Sequence, residues 1–272
     1  MAVAADFHIH SNFSGDSDTP MESMILEGIR LGLQTMCFTE HLDLDYPYEE
    51  IDFSLDLSTY YQTLLSMRQK YCNKIEILFG VELGIQPHLS STLQDIVAAY
   101  PFDFVIGSTH LIDHLDPYYP QYFQNYSDQE GFRRYFEEVL ENLKTFSDFD
   151  SLGHLDYIVR YSPNKTKHYC WKDYQDLMDQ ILLFLIQSDI SLEVNTAGLK
   201  YGLGQTNPAP DILKRYRELG GTNITIGSDA HCPQHLAYQF SVLSDLLRQC
   251  GFSYYTIYRN RTPYQIPLIS MT

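Results

Sequence analysis

Short apolar stretches, many rich in β-branched or aromatic residues, recur along this 272-residue chain, and most of them run into a polar motif. They predict strands over residues 4–9, 35–39, 75–81, 102–106, 150–153, 190–194 and 224–227, with 254–258 as a late extra. Between them the apolar positions shift to helical spacing, over residues 59–71, 89–99, 129–146, 174–187, 210–219 and 236–250. The clearest helix start is Thr19-Pro20-Met21-Glu22. There Thr19 as cap, Pro20 at the first helical position and Glu22 three residues after the cap compose a capping box. Repeated strand-then-helix units predict an α/β fold with parallel strands and right-handed crossovers. An α/β barrel of about 250 residues is ordinarily one domain, so residues 1–272 are expected to form one.

The polar ends of the predicted strands are chemically alike. Asp6-Phe7-His8-Ile9-His10, Glu40-His41, Gly107-Ser108-Thr109-His110, Gly153-His154 and Ser228-Asp229-Ala230-His231 each end in a possible metal ligand, and Glu82 follows the 75–81 stretch in the same way. Residues two apart on a strand point the same way, so His8 and His10 can share one ion, and Asp229 with His231 repeats that spacing. A carboxylate such as Glu82 can bridge two ions. One H-x-H pair is equally at home in a core; the inference rests on six histidines and several acids falling at the same end of successive strands. That arrangement is a metal centre at a barrel mouth. His88, His114, His168 and His235 lie outside these motifs and read as surface or hydrogen-bonded residues, Cys232 as a packed thiol, and Glu40 as a support for His41.

Composition narrows the setting. Eighteen Lys and Arg against 35 Asp and Glu leave a formal charge of -17, which argues against a nucleic-acid partner, because phosphate backbones are held by clustered cations. Bound divalent ions would neutralise several of the acids. The five cysteines, odd in number and without C-x-x-C spacing, suggest reduced thiols. The first candidate ligand stands at position 8, so no cleavable leader is expected, and no apolar run approaches the about 18 residues of a membrane span. A cytoplasmic protein without a membrane partner is expected; its oligomeric state is not assigned. Three long connections, 41–56 (acidic), 111–131 (rich in Tyr and Phe) and 160–172 (basic and aromatic), follow strand ends on the ligand side and are expected to shape a substrate pocket. Tyr118, Tyr119, Tyr122 and Phe123 are candidates to wall it.

The ordered motifs DFHIHS with the following Ser14-Gly15-Asp16, TEH at 39–41, GVE at 80–82, GSTH at 107–110, GHLD at 153–156, EVN at 193–195 and GSDAH at 227–231 closely resemble the PHP family, named for polymerase and histidinol phosphatase. Within it the chain is most similar to the stand-alone histidinol-phosphate phosphatases, whose length and GHLD-then-Arg pattern it shares. The resemblance implies a distorted (β/α)7 barrel with a trinuclear site for divalent transition metals, Zn foremost, with Mn or Fe as alternatives. One ion would be held by His8, His10, Glu82 and Asp229, a second by Glu82, His110 and His154, and a third by Asp16, His41 and His231. Such a site points to phosphomonoester hydrolysis, with water activated by the ions attacking phosphorus in line. The expected substrate is L-histidinol phosphate, and the expected pathway histidine biosynthesis.

Asp229 and His231 are candidate catalytic residues. Asp156 is a third, either as proton donor to the leaving alcohol or as an acceptor that orients a ligand. Arg160 and Lys200 are the candidate phosphate-binding cations. The main enzymatic rival is a PHP-type nuclease or another phosphoesterase, against which the charge of -17 and the acidic segment after His41 speak. A non-catalytic metal-binding module is the rival from outside enzymology; such a protein would lose ligands, and here every expected position is filled.

Overall fold

The computed structural model describes residues 3–269. Its frame is β1 (Ala5–Ile9), α1 (Met21–Leu31), β2 (Thr35–Leu42), α2 (Leu57–Tyr71), β3 (Glu76–Gly84), α3 (Ser90–Ala99), β4 (Phe104–Ser108), α4 (Gln121–Asn125) and α5 (Asp128–Thr145). After these come β5 (Ser151–Leu152), α6 (Gln175–Gln187), β6 (Ser191–Asn195), α7 (Ala197–Lys200), α8 (Pro210–Glu218), β7 (Ile224–Gly227), α9 (Phe240–Gln249), β8 (Tyr254–Arg259) and β9 (Thr262–Pro267). The first seven strands are parallel and lie side by side in chain order. Helices cover such a sheet on its outside and the barrel interior covers it within. That is why these strands are buried along almost their whole length and read in sequence as unbroken apolar runs.

The sheet closes on itself at its C-terminal mouth. His10 N donates to Ala230 O (2.9 Å) and Asp229 N to His8 O (2.8 Å), which joins the end of β1 to the segment after β7. Asp6, fully buried, secures the seam by accepting from Ser228 N, the Ser228 hydroxyl and Ala237 N. The other end is closed by the antiparallel β8–β9 hairpin. Arg259 grips Glu76 at the start of β3 with two bonds (2.6 and 2.7 Å), and the Tyr258 hydroxyl reaches Ser191 at the start of β6 (2.8 Å).

Several local expectations are corrected. Thr19 does not cap α1: its hydroxyl donates to His231 O (2.9 Å), Pro20 takes the cap position without a side-chain bond, and no capping box forms. A capping box occurs instead at α5, between Ser127 and Glu130. The two middle strands run further than their apolar stretches, because the β2–β3 ladder continues through the pair His41 and Glu82 to Leu42 and Leu83. The helix expected from 236 starts only at Phe240, since Ala237 and Gln239 take positive φ (50° and 58°). The late strand gains a partner, β9, that its polar sequence does not announce.

Close approach at the seam leaves no room beside Gly227. A Cβ there would lie 2.3 Å from the His8 Cβ and 2.5 Å from a Glu193 carboxylate oxygen. Gly227→Ala is therefore expected to destabilise the fold by about 1–3 kcal/mol, the usual range for overpacking, measured by urea unfolding. An unchanged midpoint would show that the seam has slack.

Candidate metal centre

All nine residues named as possible ligands meet at the C-terminal mouth, around Glu82. Its carboxylate has no solvent exposure, and its two oxygens face different neighbours. Oε2 lies 3.1 Å from His8 Nε2, 3.5 Å from His10 Nε2 and 3.0 Å from His41 Nδ1. Oε1 lies 3.0 Å from His154 Nε2 and 3.3 Å from His110 Nε2, and it accepts a bond from the Ser108 hydroxyl (2.6 Å). Asp229 Oδ1 adds to the first group, 3.9 Å from His8 Nε2 and 3.7 Å from His10 Nε2. At the rim Asp16 Oδ2 is 3.0 Å from His231 Nε2 and 3.7 Å from His41 Nε2. Asp229 reaches its place from a left-handed backbone (φ 54°), a conformation that Asp tolerates better than most residues.

These donors fit transition-metal ions. Donor atoms on a tetrahedral ion with bonds near 2.1 Å stand about 3.4 Å apart, which is the spacing seen here. His10 Nε2, His41 Nδ1 and His231 Nε2 are buried and lack any hydrogen-bond partner. His231 Nε2 thus comes within 3.0 Å of the Asp16 carboxylate without hydrogen-bond alignment, as lone pairs aimed at a shared ion would. On other rings the second nitrogen is anchored from behind. His8 Nδ1 meets Glu193 Oε1 (2.6 Å), His110 Nδ1 meets Asp43 Oδ1 (2.7 Å), and His10 Nδ1 meets the Ser14 hydroxyl (3.0 Å). An acceptor behind the ring fixes tautomer and orientation, leaving Nε2 for an ion.

The electrostatics agree. Burial resists charge on Glu82, but His8, His41 and His110 hold its pKa well below the usual carboxylate value. Burial also opposes a proton on His8, yet Glu193, Glu82 and Asp229 keep its pKa well above normal. Burial, then electrostatic repulsion from the neighbouring rings, push His10 well below normal. Protons and metal ions compete for such donors, so ion uptake releases protons.

Above the cluster opens a cavity of about 330 Å³, lined by Asp16, His41, His110, His154, Asp229 and His231 and also by Arg160 and Lys200. The Arg160 guanidinium is packed against the rings of Tyr157, Tyr161 and Tyr201 (4.7, 5.0 and 4.6 Å), with Nη1 3.5 Å from Asp229 Oδ2 and Nε without a partner. Lys200 Nζ donates to Asp229 O (3.1 Å).

Other expectations for the site need correction. Asp156 does not line this cavity; it is fully buried and accepts from Asn207 Nδ2 (2.5 Å) and Ala209 N (2.9 Å), so it cannot reach a leaving group and touches no ligand ring. It fastens the turn that carries Arg160. Glu40 does not touch His41, because neighbours on a strand face opposite ways. It accepts from the Ser11 and Ser14 hydroxyls, and acts on His41 through Ser14, whose oxygen receives His41 N (3.0 Å). Of the proposed aromatic wall only Tyr118 lines the cavity: Tyr119 stacks on Tyr48 (4.0 Å), while Tyr122 is buried, its hydroxyl on Gly131 O. Of the acids in 41–56 only Asp43 faces inward; Asp45 pairs with His88, and Asp56 caps α2. Glu193 and Asp43 serve as ring anchors that were not among the expected site residues. A lone charged residue inside an apolar strand, as Glu193 is in Ser191–Asn195, was the available signal. His235 also lines the cavity, with Nδ1 3.1 Å from Cys232 Sγ.

A parallel α/β barrel with clustered His and carboxylate donors at its C-terminal mouth is the architecture of a metal-dependent enzyme. A family model described as PHP domain matches residues 6–197. The histidinol-phosphatase of Lactococcus lactis is 32% identical over 249 residues, covering 91% of each chain, and a protein of Clostridium acetobutylicum named "Probable histidinol-phosphatase" is 34% identical over 246 residues, 90% of this chain and 93% of that one. The crystal structure of the L. lactis histidinol phosphate phosphatase, complexed with zinc, L-histidinol and phosphate, matches with a TM-score of 0.89 at 30% identity, covering 96% of this chain and 98% of that one. The chain belongs to the PHP domain family.

Glu193 accepts from both the His8 ring and His154 N (2.7 Å), so it positions two donors at once. Glu193→Gln is expected to weaken Zn²⁺ affinity by about 10–100-fold, read by competition with a chromophoric chelator. Unaltered affinity would mean that the rings are held by packing alone.

Proposed function

We propose that this protein is a metal-dependent phosphomonoesterase that hydrolyses L-histidinol phosphate to L-histidinol and phosphate, a step of histidine biosynthesis, and that it works in the cytoplasm with residues 1–272 as one domain. The observation that carries this reading is the meeting, in one cavity sized for a small molecule, of the buried donor cluster and the tyrosine-caged Arg160. The relatives that act on histidinol phosphate support the choice of substrate.

Three divalent ions, preferably zinc, would be held by His8, His10, Glu82 and Asp229, by Glu82, His110 and His154, and by Asp16, His41 and His231. When bound, they supply Lewis acidity that activates water near neutral pH and offsets charge on the phosphoryl oxygens. The chain's own groups do the rest. Arg160, with an unpartnered Nε and an Nη1 3.5 Å from Asp229, offers donors to a phosphoryl oxygen. Lys200 adds a second positive charge; burial pulls its pKa down against the attraction of Asp229. Asp229 faces His8, His10 and Arg160 together, so it ties the donor cluster to the phosphate grip. His231 stands at the rim, more exposed than the inner rings, where a leaving alcohol can pass. The tyrosines around Arg160 keep its planar group in one orientation and exclude water, which strengthens its hold on charge.

Two linked measurements test the reading. Protein purified without chelator should carry close to three transition-metal equivalents per chain and release phosphate from histidinol phosphate faster than from simple sugar phosphates or single-stranded DNA, and chelation should abolish the activity. Activity in metal-free protein, or a preference for oligonucleotides, would refute it. Arg160→Ala should lower kcat/KM at least about tenfold, near 1.4 kcal/mol, with metal content near wild type; unchanged kinetics would make Arg160 a structural cation only.

A further inference from the structure

Asp116 is the cavity acid that the donor cluster does not use. It lies between β4 and α4, is only 6% exposed, and lines the same cavity as Arg160. Its Oδ2 accepts from the Tyr46 hydroxyl (2.7 Å) and its Oδ1 from Tyr118 N (2.7 Å). Both partners are neutral. Among the described residues no Lys, Arg or His nitrogen comes within 4.0 Å of it, although Asp16, Asp43 and Asp229 in the same cavity all have such a neighbour. A buried carboxylate without a counter-charge is expensive, and the expense is relieved when a cation arrives. Burial indeed pushes the Asp116 carboxyl up, with Tyr46, Tyr118 N and, from beyond contact distance, the charge of His110 drawing it part of the way back.

The surroundings suit a cation too. Tyr46, Phe53, Tyr118, Tyr157 and Tyr161 line the cavity with Asp116, and aromatic faces attract protonated nitrogen. The cavity's own cations do not satisfy Asp116: Lys200 donates to Asp229 O and Arg160 turns to Asp229, with the Tyr161 ring 5.0 Å from its guanidinium and the Tyr118 ring 5.9 Å from that of Tyr161. The cavity thus offers an anion-binding place at Arg160 and an unpaired negative charge at Asp116, separated by aromatic rings.

We propose that Asp116, held in place by Tyr46, is the specificity-determining residue that receives the protonated nitrogen of a cationic phosphomonoester. This rests on the phosphatase reading above and deepens it: Arg160 takes the phosphate, and Asp116 selects esters whose alcohol carries positive charge. In histidinol phosphate that nitrogen is either the ammonium or the imidazole, and the two are separable.

The test compares wild type with Asp116→Asn, which keeps the shape and can still bond to both Tyr46 and Tyr118 N. The quantity read is the ratio of kcat/KM for histidinol phosphate to kcat/KM for p-nitrophenyl phosphate, which lacks a cation. It should fall at least about tenfold, mainly through a higher KM for the cationic ester, as expected for loss of a hydrogen bond to a charged group. A ratio that stays constant overturns the proposal, whether both activities fall together or neither does. An aminoalkyl phosphate without imidazole and an imidazolylalkyl phosphate without amine then distinguish the nitrogens, since the one that Asp116 receives keeps the penalty. If the wild type turns over p-nitrophenyl phosphate but not histidinol phosphate, the assigned substrate is wrong, and Asp116 is judged on aminoalkyl against plain alkyl phosphate. A wild-type preference for the amine that Asp116→Asn removes upholds the proposal, and no preference overturns it.

Discussion

A carboxylate taken wholly out of water loses several kcal/mol of hydration unless opposite charge and hydrogen bonds replace it, and Glu82 is such a carboxylate at the middle of the barrel mouth. Five imidazoles, those of His8, His10, His41, His110 and His154, come within 3.5 Å of it. They arrive from the ends of four different strands. The rest of the mouth follows from that requirement. The parallel register sets His41 directly beside Glu82, and the next strand brings Ser108 to bond the other oxygen. The seam between β1 and the segment after β7 holds His8 and Asp229 at the distance the same carboxylate needs.

Because the interior is poorly screened, a polar network there is stable only if each member has a partner. Acceptors behind the cluster supply much of this. Glu193 holds His8 and His154, Asp43 holds His110, and Glu40 works through Ser14 on His10 and His41. Among the buried atoms that stay unpartnered are His10 Nε2 and His231 Nε2 in the donor cluster and the Nε of Arg160, a residue that lines the cavity. Among the described residues no helix is long and apolar enough to cross a membrane.

Much of this was legible in the chain. Buried parallel strands read as continuous apolar runs, so the seven strands were found, and 224–227 to the residue. The clustering of the nine donors was legible because His and acidic residues rarely end one apolar run after another without a shared reason. Groups whose role depends on where a loop returns were not legible. Asp43 looked like one of many acids in a loop, and only the fold shows that it alone turns inward. Asp156 sits two residues past His154, which suggested chemistry, yet the turn aims it at Asn207 and Ala209. Thr19 has the sequence of a cap but is used by a segment more than two hundred residues away. Asp116 carried no signal, since a buried acid in an aromatic loop is spelled like an exposed one.

The central claim is that Glu82 joins two ions, one at each oxygen. Anomalous diffraction from zinc-loaded crystals tests it most directly. The predicted result includes, among the strong peaks, two about 3.5–4 Å apart, one beside Oε2 with His8 and His10 and one beside Oε1 with His110 and His154. A single peak, or two peaks on the same carboxylate oxygen, would contradict it.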